Sequence, residues 1–295
     1  AAWGSFANGE LALLDRDASG ALVLRRRNLA TGSERAPVAL PAYATGFDIV
    51  SGFVQPRLRS DLLRGESLAL VGELAGSSAV VASWLDADDV QVRTHALPAQ
   101  PQEFWPLNGR LYRVDARRLD ASTQQALDLR VLEVASGNDV LAGNLGAYYT
   151  NVGWTLHKTL VPQHLVLALG QLAGAGAAGA RLLALPLGGS RIDWQRDLAL
   201  DRYALADVAV VPARHAVMVS ARGAGAVQMQ LFDDATGAAL EQRTLACGGS
   251  QCWIRPHSLT ASADDYRVMA NIYDQPTGRR LDALSVDLRV AADLP

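Results

Sequence analysis

Apolar positions along this chain come in short alternating runs and not in helical stripes. Such runs stand at Leu11-Ala-Leu-Leu, Leu68-Ala-Leu-Val, Leu111-Tyr-Arg-Val, Leu165-Val-Leu-Ala, Ala216-Val-Met-Val and Arg267-Val-Met-Ala. Alternation over four to eight residues is the mark of a β-strand. No stretch sustains a 3.6-residue period or places a capping box before an apolar run. Successive runs begin 57, 43, 54, 51 and 51 residues apart. A beat of about 50 residues, struck six times, matches four-stranded propeller blades.

A second feature keeps the same time. Turn residues close a strand at Ala30-Thr31-Gly32, Ala135-Ser136-Gly137, Leu187-Gly188-Gly189 and Ala235-Thr236-Gly237, with Asp86-Ala-Asp88-Asp89 in the second repeat and Pro276-Thr277-Gly278 in the sixth. Asp, Thr and Gly suit hairpins that need a residue at positive φ. The expectation is an all-β chain, a β-propeller of about six four-stranded blades, although the spacing also accommodates five or seven. It forms a single domain over 1–295, with blades near 1–41, 42–99, 100–146, 147–199, 200–246 and 247–295.

The turns Asp233-Asp-Ala-Thr-Gly237 and Val134-Ala-Ser-Gly137 resemble repeats of the quinoprotein-like and YVTN-type β-propellers. The resemblance covers most of the chain and implies fold, not function, because such propellers serve as enzymes, scaffolds and ligand binders. The tryptophan-docking signature of pyrroloquinoline quinone dehydrogenases is not evident, so no cofactor is carried over.

Composition narrows the setting. The chain has 295 residues, 49% hydrophobic and 19% charged, which suits a packed globular protein. A net charge of −3 gives no reason to expect nucleic acid or an anionic membrane as partner. The single basic run, Arg25-Arg26-Arg27, lies in an alternating segment and reads as a solvated strand. The apolar stretch His164 to Leu187 has a glycine-rich middle and holds Gln171 and Arg181, so it reads as strands and a turn, not a membrane insertion. The opening Ala1-Ala2 is compatible with signal cleavage. Cys247 and Cys252 flank Gly-Gly-Ser-Gln, a loop able to close as a local disulfide; two free thiols are the alternative. A disulfide implies a periplasmic or secreted protein.

Two motifs mislead. Gly174-Ala-Gly176-Ala-Ala-Gly179 spells a dinucleotide fingerprint, but the residues after it read as a strand where a helix is required. Asp15-Arg-Asp17-Ala-Ser19-Gly20 resembles the start of a calcium loop, yet Arg26 stands where the bidentate acid belongs. A polar hairpin turn is the plainer reading. His164 and His215 each open a second strand and are expected to bond the turn backbone. His95, near the end of an outer strand, is expected in solvent.

One constellation stands out. Inner strands of a propeller line an axial channel, and the repeat brings Asp48, Glu103, His157, Asp207 and His257 into rough register, at spacings of 55, 54, 50 and 50. Trp105, Trp154, Tyr203 and Trp253 keep similar time. Together they describe an aromatic-walled funnel with a polar floor, able to stack a sugar, a ring or a peptide side chain. The same two imidazoles and three carboxylates are donors for a divalent metal such as calcium, or a general acid and base. The bland alternative is a wet channel with aromatics packed between blades.

Binding and catalysis therefore both stay open. The favoured reading is a non-catalytic extracytoplasmic binding or scaffold module, holding a protein, peptide or small polar ligand on one propeller face or in the funnel. The alternative is a hydrolase or lyase acting on a small polar substrate in that funnel, with or without metal.

Overall fold

The protein is seen in a computed structural model that describes residues 3–45, 56–61, 65–89, 91–119, 123–173, 179–198, 200, 204–211, 215–223, 226–246, 252–261, 265–274 and 280–289. Every regular element among them is a β-strand. Among the described residues, no helix is long and apolar enough to cross a membrane. Contacts divide the chain into two compact units, Ala1–Arg117 with Leu127–Leu145, and Arg118–Ala126 with Gly146–Pro295.

In the first unit, β1 (Trp3–Ser5), β2 (Glu10–Arg16), β3 (Leu22–Asn28) and β4 (Val38–Ala39) form one antiparallel sheet in chain order. A second sheet follows from β5 (Arg57–Ser60), β6 (Ser67–Glu73), β7 (Val80–Asp86) and β8 (Arg93–Leu97). A third takes β9 (Glu103–Leu107), β10 (Arg110–Arg118), β11 (Gln124–Glu133) and β12 (Asn138–Tyr149), the last three of which are divided between the units. The physics of these sheets is clearest in β6, whose first six residues are all buried. Successive side chains point to opposite faces. Leu68 and Leu70 accordingly join a core with Ala12, Leu24 and Val38 of the first sheet. Ala69 and Val71 join another with Phe104, Leu111 and Leu132 of the third. A strand covered on both faces reads as a continuous apolar run, whereas β8, on the outer edge, is mostly exposed.

The second unit repeats the scheme. One sheet contains β13 (Thr155–Leu160), β14 (His164–Gly170), β16 (Arg181–Pro186) and β17 (Trp194–Asp197). Between β14 and β16 lies the short β15 (Leu172–Ala173), which pairs instead with β12, Ala147 opposite Ala173 and Tyr148 opposite Leu172. Next come β18 (Ala204–Val211), β19 (Ala216–Gly223), β20 (Ala226–Asp233) and β21 (Ala239–Ala246). The final sheet has β22 (Cys252–Ala261), β23 (Asp265–Asp274) and β24 (Arg280–Arg289). Every residue of β14 is buried, and Val166 and Ala168 pack with Val217, Val219 and Phe232. All six apolar runs singled out in the sequence fall on the second strand of a sheet.

The recurrent turns have a packing reason. In the β20–β21 hairpin, Asp233 Oδ1 accepts from the Ala235 and Thr236 amides at 3.2 and 2.8 Å and from the Thr236 hydroxyl at 2.7 Å, leaving Gly237 at φ 67°. Strand β17 grips this turn from the preceding sheet. Trp194 Nε1 donates to the Asp234 carbonyl at 3.3 Å and Arg196 Nε to the Gly237 carbonyl at 3.2 Å. A Cβ on Gly237 would stand 2.5 Å from the Trp194 ring, so the position needs glycine for space as well as for φ. The β11–β12 turn repeats the arrangement, with Gly137 against His95 of β8.

Three expectations are corrected, two of them by this clamp. Arg26 is not solvated: it is 1% exposed and donates to the Ala87 carbonyl at 2.7 Å, gripping the β7–β8 turn. His95 is half-buried, held under the Gly137 turn. His164 is buried and faces Asp193 Oδ2 at 3.0 Å, a side chain and not turn backbone. The apparent calcium loop is a closed hairpin turn, in which Asp17 Oδ1 accepts from the Ser19 and Ala21 amides and the Ser19 hydroxyl. Asp15 is paired with Arg25 at 2.7 Å. Of the glycine fingerprint, residues 174–178 lie outside the described residues, and the segment after it is strand β16.

Candidate functional site

The structure distributes the ring expected from the sequence unevenly. Asp48, Tyr203 and Cys247 lie outside the described residues, and of Trp253, His257 and Cys252 only the backbone, in β22, is described. Glu103 opens β9 and is half-buried. Trp105, two residues deeper on the same strand, is 1% exposed and stacked on Tyr112, centroids 5.9 Å apart at 11°. It is a core residue and walls no funnel. Trp154 stands just before β13, half-exposed and tilted against Tyr148 at 6.3 Å.

Glu103 does line a cavity, inside the first unit. It measures about 530 Å³ and is walled by Arg57 and Arg59 of β5, Glu73 at the end of β6, and Gln100 to Glu103 leading into β9. Strand alternation puts Arg57 and Arg59 on one face of β5, with the buried Leu58 on the other. Both guanidiniums ride over the Phe104 ring, 5.2 and 5.9 Å from its centroid. That distance is within cation–π range. Arg57 also donates to the Pro101 carbonyl and, at 2.8 Å, to that of Gln102, fixing the approach to β9. Burial pulls the Arg57 guanidinium below its usual value, the Glu103 carboxylate raises it and neighbouring Arg59 lowers it further. Neither arginine is among the ring positions that the repeat selects, which run through Asp48. Strand β5 begins nine residues later, and the alternation Arg57-Leu58-Arg59 was the available signal.

In the second unit, His157 of β13 and Asp207 of β18 come together, Nδ1 to Oδ1 at 3.4 Å, both partly exposed. The register of β18 against β19 shifts between Leu205 and Asp207, and this bulge re-aims the strand where Asp207 projects. Strand β22 has a similar shift between Pro256 and Ser258, which leaves His257 without a partner in the ladder. Among the described residues, no group of three or more His, Cys, Asp or Glu is placed to hold a metal ion.

No family model matches the sequence, and no curated protein matches it. Solved structures do resemble the fold. A eukaryotic initiation factor aligns over 97% of this chain and 66% of its own, with 9% identity and a TM-score of 0.51. A prolyl endopeptidase aligns over 96% of this chain and 41% of its own, at 13% and 0.50. BamB from Moraxella catarrhalis aligns over 93% of this chain and 77% of its own, at 13% and 0.45. The chain thus spans just under two thirds of the initiation-factor chain and about two fifths of the peptidase. The likeness carries fold alone: the chain is an all-β protein of the β-propeller class.

Proposed function

We propose that this protein is a non-catalytic binding or scaffold module acting outside the cytoplasm, holding a protein, peptide or small polar ligand on one face. The observation that carries this reading is the cavity beside β5 and β9. Its walls offer two guanidiniums, two carboxylates and two amides, and no Ser, Thr, Cys or His among the described residues that line it. Such a wall orients a ligand by hydrogen bonds and charge. The test is to present the purified chain with a random peptide library and analyse bound and free fractions by mass spectrometry. Enriched peptides should be recovered intact at one per chain. Cleaved products accumulating with time would overturn the reading.

The extracytoplasmic location rests on the Cys247–Cys252 loop as a disulfide. Alkylation without reductant should leave both thiols unlabelled, and labelling of both removes that support. A hydrolase or lyase is the second reading, favoured by the His157–Asp207 pair, since a carboxylate facing an imidazole orients it as a general base. Turnover abolished by His157→Ala in a folded protein would move the weight there.

A further inference from the structure

The charges around the first-unit cavity do not satisfy one another. Arg59, Glu73 and Glu103 all line it, and none makes an ion pair among the described residues. The single hydrogen bond of the Arg59 guanidinium is a long one, 3.4 Å, to the adjacent Leu58 carbonyl. Gln100 Oε1 is buried without a donor among the described residues. A buried acceptor of this kind ordinarily has a partner. Arg57, by contrast, is committed to the Pro101 and Gln102 carbonyls. Two like charges thus lie side by side over one ring, with one of them uncommitted. The Glu73 and Glu103 carboxylates line the same space, and neither forms an ion pair with these guanidiniums among the described residues.

We propose that this cavity binds a zwitterion, a free amino acid or short peptide, whose carboxylate meets Arg59 and whose ammonium sits among Glu73, Glu103 and Gln100 Oε1. This rests on the binding reading above and names its ligand class. The charge balance selects it. A phosphate or polyanion would meet two carboxylates, and a lone cation two guanidiniums. An apolar ligand would strip water from four charges and return nothing. A zwitterion complements both signs at once, and a volume of about 530 Å³ falls within the ordinary range for small-molecule sites. In this arrangement Arg57 is a positioning residue, holding the backbone from which Glu103 projects.

The experiment uses the full chain and an equimolar mixture of glycyl dipeptides, read by saturation-transfer NMR and then calorimetry. Three further mixtures carry an acetylated N-terminus, an amidated C-terminus, or both. Free dipeptides should bind, and either cap should weaken binding at least about tenfold, as loss of one charge-assisted hydrogen bond implies. Arg59→Gln should weaken free dipeptides similarly while leaving the melting temperature unchanged, because Arg59 is exposed. Arg59→Lys should recover part of the loss. Equal binding of doubly capped and free dipeptides overturns the proposal, as does full affinity in Arg59→Gln. If library peptides bind but no free dipeptide does, the zwitterion is wrong and the binding module stands. If nothing binds, both fall. Should Arg59→Gln not fold, the capped series on the unmodified protein decides.

Discussion

Arg113 offers a sharp energetic comparison, because two carboxylates share it on unequal terms. Its side chain is 1% exposed on β10. Asp139 of β12 accepts both terminal nitrogens at 2.8 Å, while Asp115 accepts Nε at 3.1 Å. Asp115 lies 14% exposed and one of its oxygens, Oδ1, is buried without a partner among the described residues. Burial pushes the Asp115 carboxyl above its ordinary range, and the attraction of Arg113 only partly opposes this. Ionised Asp115 therefore costs stability at neutral pH; its contribution is favourable below the unfolded value and fades as pH rises through the folded one. The opposite holds for the bidentate partner's role. Removing one member of a buried pair costs about 3–5 kcal/mol. Asp139 is 30% exposed, so water can enter its place and the cost of Asp139→Ala falls to about 2 kcal/mol. Asp115→Asn keeps an acceptor for Arg113 and removes the buried charge, so it should stay within about 1 kcal/mol of the parent. Thermal unfolding at neutral pH should show a drop of about 4–8 °C for Asp139→Ala and little change for Asp115→Asn. Equal losses, or a larger one for Asp115→Asn, would refute the reasoning.

Tyr43, buried with its hydroxyl 2.7 Å from the Ser83 hydroxyl, has its phenol pushed up to about 12 by burial. Its folded form holds the proton more tightly, so stability should decline between about pH 10 and 12, by up to about 2–3 kcal/mol. Tyr43→Phe should flatten that decline in unfolding titrations; an unchanged slope would discard the assignment. Gly237→Ala should lower stability by about 3 kcal/mol, combining left-handed strain with a clash on Trp194. Gly32→Ala, also left-handed but open except for the Arg27 guanidinium at 3.8 Å, should lose only about 1 kcal/mol. Matching losses in the two would remove the packing argument.

The strand repeat was legible because burial on both faces forces the second strand of each sheet to be apolar throughout, as in β6 and β14. The turns were legible because Gly32, Gly137 and Gly237 need both a left-handed backbone and, in two cases, room beneath a ring. The site was legible in part: Glu103 lines the cavity and His157 meets Asp207, but Arg57 and Arg59 of β5 fall outside the ring positions that equal spacing selects. Trp105 kept the beat for a reason of packing, its stack on Tyr112. Register shifts at Ala206, beside Asp207, and at His257 add a residue locally, which no fixed register anticipates.

The reach of β15 back to β12 bears on how the chain is born. In the other sheets neighbouring strands pair in chain order, with β15 alone intervening between β14 and β16, so each hairpin can close soon after it leaves the ribosome. The outer edge of β12 must wait until Leu172 and Ala173 emerge, after β13 and β14 have been made. During that interval a nascent chain carries an open strand edge, the kind of edge to which a holding chaperone or a neighbouring polysome would be drawn.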